Sequence, residues 1–212
     1  NPAYPQGKAE EWTQDFILDA RSGFTQGTVG FGVDVLGLYS QKLDGGAMFG
    51  VVPKSIWNKL NPADDKNMCN WAMRCLLIEE GDRLILIDNG IGDKQDAKFL
   101  GHYYLNGDDS LEKSLASNGF HRDDITDVIL THLHFDHCGG AIAYDTQKEA
   151  YRTVFENATY WSSENHWRWA TQPNPREKAS FLSENILPIQ ESGQLQYVER
   201  QGLLTQNALP GS

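Results

Sequence analysis

Between Thr28 and Val35 the apolar residues Val29, Phe31, Val33 and Val35 alternate with Thr28, Gly30, Gly32 and Asp34. A period of two predicts a β-strand with two different faces. Trp12 to Ala20 is also extended in character, and Arg21-Ser22-Gly23 between the two reads as a turn, so the pair is predicted as a hairpin with long, Gly-rich strands. The texture changes at Lys42 to Gly50, where Gly45, Gly46 and Gly50 predict a tight loop with unusual backbone angles. Trp71 to Ile78 and Arg83 to Asp88 are apolar runs joined by Glu80-Gly81-Asp82. They predict two adjacent buried strands linked by a tight turn. Leu111 and Leu115, four apart, predict a helix with one buried face. Asp109 is its expected N-cap, Glu112 the reciprocal partner, and Gly119 the stop. Asp127 to Thr131 predicts a short buried strand, Thr153 to Trp161 a weaker one. Helices are predicted over 162–170 and 179–185, and a loop over 201–212.

Composition narrows the function. A chain of 212 residues suits one domain with a full-sized core, or part of a larger one. The formal net charge of −11 argues against nucleic acid as a partner, because phosphate binding needs clustered Lys and Arg. It disfavours anionic substrates less strongly, since a bound metal inverts the local field. No run of 18 or more apolar residues occurs, so no transmembrane helix is expected. The chain begins at Asn1 without an initiator Met or a signal peptide, and a cytoplasmic location is the expectation. Cys69, Cys75 and Cys138 are too few and too odd for a disulfide framework, so Cys69 and Cys75 are expected as buried thiols and Cys138 as a small packing residue.

The chemistry concentrates at Thr131-His132-Leu133-His134-Phe135-Asp136-His137, which directly follows a predicted strand. Three of the six histidines fall within six residues. In an extended segment His132, His134 and Asp136 would share one face while Leu133 and Phe135 enter the core. His137 would follow where the chain turns. Imidazoles and a carboxylate suit zinc and similar borderline cations. Three ligands on one face and one at the turn can serve two adjacent ions. Gly139-Gly140 closes the loop.

From Leu43 to about Val198 the sequence resembles the metallo-β-lactamase-fold hydrolases, in particular their lactonase-like branch. The matching pieces are Leu84 to Asp88 with Gly90, Val128 to Thr131, the His132 to His137 motif, and Asn157 to Trp161. The resemblance implies one α/β domain of the αββα type and a zinc-dependent hydrolase of an ester, lactone or related carbonyl substrate. It implies that His132 and His134 hold a first zinc ion and Asp136 and His137 a second, with Asp136 also acting on the nucleophilic water. Asp88 would orient the metal loop, or else simply begin the turn at Asn89-Gly90. The small molecule would be the natural partner, with no nucleic acid and no membrane.

The segment Glu10 to Asp34 resembles the first hairpin of substrate-specific outer-membrane porins. The chain accordingly divides into a porin-like hairpin segment, 1–40, and a metallo-β-lactamase-type domain, 41–212. One hairpin cannot close a barrel, and an open edge cannot sit in lipid. The resemblance also implies a further His, a bridging Asp and a final His from a second half. After His137 the chain has one His, His166, and one Asp, Asp145. The expectation is therefore a domain lacking its second half, as in a fragment or chimera, with impaired activity. An exposed sheet face would then be available for homo-oligomerisation. The rival readings are a non-catalytic metal-binding or assembly fragment and an outer-membrane fragment.

Overall fold

In the computed structural model, which describes residues 31–198, the alternating stretch forms one long strand, β1 (Phe31–Asp44). The predicted partner strand at 12–20 and the turn at 21–23 lie outside the described residues. β1 pairs antiparallel with β2 (Met68–Glu80), from Phe31 opposite Glu80 to Asp44 opposite Met68, with a register shift between Gly37 and Ser40. It thus runs unbroken across position 40, where the texture of the sequence divides the chain. The turn at Gly81, with φ +58°, leads into β3 (Arg83–Ile87), antiparallel to β2.

Beyond β3 the sheet becomes parallel. β4 (Asp127–Ile129) lies beside β3, β7 (Thr159–Ser162) beside β4, and β8 (Leu195–Tyr197) beside β7. The order is β1-β2-β3-β4-β7-β8. β5 (Ile142–Asp145) and β6 (Ala150–Thr153) form a separate antiparallel pair. The single strand predicted over 153–161 is therefore two strands, because the chain turns at Glu156-Asn157.

Seven helices connect the described strands. Gly45–Phe49 is a short helix, α1, rather than the expected loop, because Asp44 Oδ1 caps it by accepting from Ala47 N at 2.8 Å. Lys54–Trp57 is α2, and Ala97–Gly101 is α3. α4 (Leu111–Ser117) buries Leu111 and Leu115 as predicted, and Gly119 follows it at φ +85°. Its cap is Ser110, whose side chain accepts from Lys113 N at 3.2 Å, and not Asp109. α5 (Phe135–Cys138) and α6 (Glu164–Thr171) follow. The last helix, α7, spans Ser183–Glu191 instead of 179–185 and contains Pro188. Among the described residues no helix is long and apolar enough to cross a membrane.

Why the site sits where it does follows from burial. β2 alternates, with Cys69, Met73, Cys75 and Leu77 buried against the core. β4 is buried on both faces, and Leu84, Ile85 and Leu86 are buried in succession in β3, as expected of central strands in an α/β sheet. On the face opposite the main cluster, Leu76 is 37% exposed while Ile85 and Ile129 are buried. The main cluster joins Leu36, Leu77, Leu86, Val128, Leu133 and Tyr160. Each such side chain contributes about 2 kcal/mol by leaving water.

Tyr160 ties this cluster to the β5–β6 pair. Its hydroxyl accepts from Phe155 N at 3.2 Å and faces Ala141 O at 3.3 Å. Tyr160→Phe keeps the ring but leaves the buried Phe155 N–H without a partner. Chemical denaturation is expected to show a loss of about 2 kcal/mol. An unchanged midpoint would mean that the hydroxyl bonds are dispensable.

Candidate metal centre

β3 and β4 are parallel, and their C-terminal ends lie side by side. Loops leaving such ends are where open α/β sheets place ligands. After Ile87 the chain turns at Asp88, φ +58°, and Gly90, φ +75°. After β4 it enters the histidine motif. The two loops are stitched by Asp88 N to Ile129 O, Asn89 N to His137 O and Gly140 N to Gly90 O, each at 2.9 Å. Leu133 and Phe135 are buried and anchor the motif, as predicted.

The extended reading of the motif holds only to His134. Phe135 begins a helical turn, and His137 N donates to His134 O at 3.0 Å. Asp136 therefore occupies a helical turn rather than the third position of an extended face. The same winding carries the His137 ring back onto His132, with ring centroids 3.9 Å apart, while His132 and His134 lie 4.6 Å apart. Three imidazoles are thus brought together. Asp136 Oδ2 accepts from Gln41 Nε2 at 3.0 Å and lies 3.9 Å from His137 Nε2.

Asp88 both starts its turn and orients the motif. Its Oδ2 is 2.8 Å from His137 Nδ1, and its Oδ1 accepts from Thr131 N at 2.9 Å. The Thr131 hydroxyl adds a bond to Oδ2 at 2.7 Å. A carboxylate that holds Nδ1 leaves Nε2 as the free ring nitrogen, the arrangement that prepares a histidine for a cation.

Electrostatics separates the three rings. Burial, followed by the neighbouring His137 and His134, pushes His132 down to about 4. Burial also lowers His134. Burial pulls His137 down too, but the Asp88 bond and the charges of Asp136 and Asp88 outweigh it, leaving a net rise. His166 Nε2 accepts from Leu133 N at 2.9 Å, so it braces the backbone of the motif, and burial lowers it. Cys138 is fully buried, its thiol donates to Leu133 O at 3.4 Å, and burial pushes it up to about 12. His102 and His121 are exposed.

Imidazole and carboxylate donors are what zinc prefers, and the Asp88–His137 pair supplies the orienting contact such a site needs. As arranged, however, no group of three or more His, Cys, Asp or Glu side chains among the described residues could hold a metal ion. The donors fit in type and proximity, and they do not yet form a closed cage. Gln41, Thr131 and His166 support the motif, yet nothing in their local sequence marked them for this role.

Two family models match the chain. One, described as the metallo-beta-lactamase superfamily, matches residues 74–204, and the other, outer membrane porin of the OprD family, matches residues 1–67. The chain belongs to the metallo-beta-lactamase superfamily. It is 29% identical over 117 residues to an N-acyl homoserine lactonase of Bacillus thuringiensis, covering 50% of this chain and 46% of that protein. A solved structure of a probable metal-dependent hydrolase from Staphylococcus aureus superposes with TM-score 0.71 at 31% identity, over 82% of this chain and 61% of that one. At its N-terminal end the chain is 62% identical over 61 residues to the porin-like protein GalP of Pseudomonas putida, covering 28% of this chain and 15% of that protein. The chain thus spans about half the length of the curated lactonase it matches. β1, the first strand in the order of the described sheet, lies within the porin-matched residues.

Proposed function

We propose that the chain is a zinc-dependent hydrolase of ester, lactone or related carbonyl substrates, with His132, His134, Asp136 and His137 as the metal ligands. The observation that supports this most is the trio of His132, His134 and His137 packed at the C-terminal ends of β3 and β4, one of them gripped by Asp88. Superfamily membership and the lactonase relative point the same way. A bound zinc supplies a water of pKa about 7 and polarises the substrate carbonyl. The chain's own residues do the rest. Asp88 fixes the His137 tautomer. Gln41 holds Asp136 by Oδ2, leaving Oδ1 to orient a water and take its proton. Leu133 and Phe135 hold the motif against the core. Lactones rank ahead of β-lactams, thioesters and phosphoesters as substrates.

Metal content by mass spectrometry on purified, dialysed protein tests this. About two zinc ions per chain, as expected of a two-metal site, should be lost in His134→Ala, and lactone turnover should be lost with them. Content near zero in both proteins would sink the reading. One observation favours a second reading, a non-catalytic metal-binding or assembly domain: the lack of a closed three-ligand group among the described residues. That reading expects weak, substoichiometric zinc and no turnover.

A further inference from the structure

Beside the loops of the metal centre lies a cavity of about 130 Å³ whose walls include none of the four proposed ligands. Its inner wall is Leu38 of β1, Met73 of β2, Ile91, Leu111 of α4, Ile142 of β5 and Val154, all buried. Its rim carries the exposed Asp93 and Glu112 and the half-buried Arg122. Protein interiors leave few voids larger than a water molecule. An apolar cavity of about 150 Å³ stays dry and takes up benzene or xenon. The space here suits a single ring of that kind. The inner wall offers a charged group no partner, and the rim holds charges of both signs. The molecule that fits is therefore compact, apolar and neutral.

Part of the wall belongs to the seam that holds the metal motif. Asn89, Ile91 and Gly92 line the cavity from one side of that seam and Gly140 from the other. Asn89 N donates to His137 O and Gly140 N to Gly90 O, both at 2.9 Å. The two segments meet without slack, since a Cβ on Gly92 would lie 2.8 Å from Gly139 O. Asn89 also follows Asp88, whose Oδ2 is 2.8 Å from His137 Nδ1. A molecule packed against Asn89, Gly92 and Gly140 stiffens the frame that sets His137. By linkage, metal and occupant then strengthen each other's binding.

We propose that this cavity is a second binding site, for a neutral apolar molecule the size of one aromatic ring, and that its occupant strengthens metal binding at the histidine motif. The coupling rests on the zinc site of the hydrolase reading, whereas the cavity stands apart from it.

Toluene is the probe, followed by methyl NMR on the whole chain. The signals of Met73, Ile91 and Ile142 are expected to shift saturably, while those of Val51 and Leu60, 99% and 88% exposed, stay in place. Ala143 also lines the cavity. Ala143→Leu fills part of it and should weaken toluene by about tenfold or more. With toluene saturating, a zinc competition titration should show binding tightened roughly fivefold or more. Shifts at Val51 and Leu60 as large as those in the cavity, or no saturation at all, overturn the site. Unchanged zinc affinity overturns the coupling. Toluene uptake by a chain that binds no zinc upholds the site and sinks the hydrolase reading together with the coupling. Should Ala143→Leu fail to fold, the two sets of methyl signals decide the matter on the unaltered chain.

Discussion

Asp88→Asn is expected to weaken zinc binding roughly 10- to 100-fold, the usual loss when an outer carboxylate is removed from a ligating histidine. The residue it replaces makes several contacts through two oxygens. Oδ1 accepts from Thr131 N and Oδ2 is 2.8 Å from His137 Nδ1. Asn tolerates the φ of +58° at this position nearly as well as Asp does, so the turn is retained. One of its two side-chain positions, however, is an NH₂ that can only donate. If that group faces His137, two donors meet and the ring must adopt the other tautomer, which puts its proton on Nε2. If it faces Thr131, the backbone N–H of Thr131 loses its acceptor. Either way the histidine motif loses its alignment. The measurement is a competition titration with a chromophoric zinc chelator, beside a denaturation curve. Unchanged affinity with unchanged stability would show that Asp88 serves the turn and nothing else, the other role its sequence position allows.

Much of this centre was visible before any coordinates, because its donors lie close together in the chain. The strand–motif–Gly-Gly pattern of Asp127 to Gly140 is local, and the structure keeps Leu133 and Phe135 in the core as alternation requires. Alternation was the wrong rule beyond His134, because helix α5 starts inside the motif and changes the period from 2 toward 3.6. That change is what sets His137 against His132 rather than beyond it. The supporting contacts were invisible for a different reason. Gln41 reaches Asp136 across 95 positions and His166 reaches Leu133 across 33, and no local periodicity encodes such pairings. Likewise β1 reads as half of an N-terminal hairpin from its own pattern. Among the described residues it pairs with β2, which begins more than twenty residues downstream, a partner no local pattern announces. The last helix spans Ser183–Glu191 rather than 179–185, and it continues through Pro188. That proline lies in the second half of α7, where Ile186, Pro188 and Ile189 are buried and hold the turn against the core.

Gly139→Ala is expected to cost about 3 kcal/mol or more, because a Cβ there would sit 2.1 Å from the carbonyl oxygen of Ile91 and 2.7 Å from its carbon. Those are backbone atoms, and they cannot swing aside as a long side chain does. The neighbouring strands of the loop are fixed by Gly140 N to Gly90 O and by Asn89 N to His137 O, and Lys94 Nζ donates to Gly139 O at 2.6 Å. To make room, the segment from Asn89 to Gly92 must part from the segment from Cys138 to Gly140. His137 and Asp88 lie on opposite sides of that seam, so the loss reaches the metal centre as well as stability. In a thermal melt the destabilisation corresponds to roughly 6–12 °C for a domain of this size. Gly119→Ala is the matched control. Gly119 has φ +85° but nothing within 4 Å of an added Cβ, so its cost is backbone strain alone, about 1 kcal/mol. A much larger drop for Gly139→Ala, joined by weaker zinc binding, is the signature of close backbone approach beneath the motif. Equal drops in the two variants, with zinc binding unaffected, would mean that the loop opens at little cost and that the glycine pair does not set the geometry of the centre.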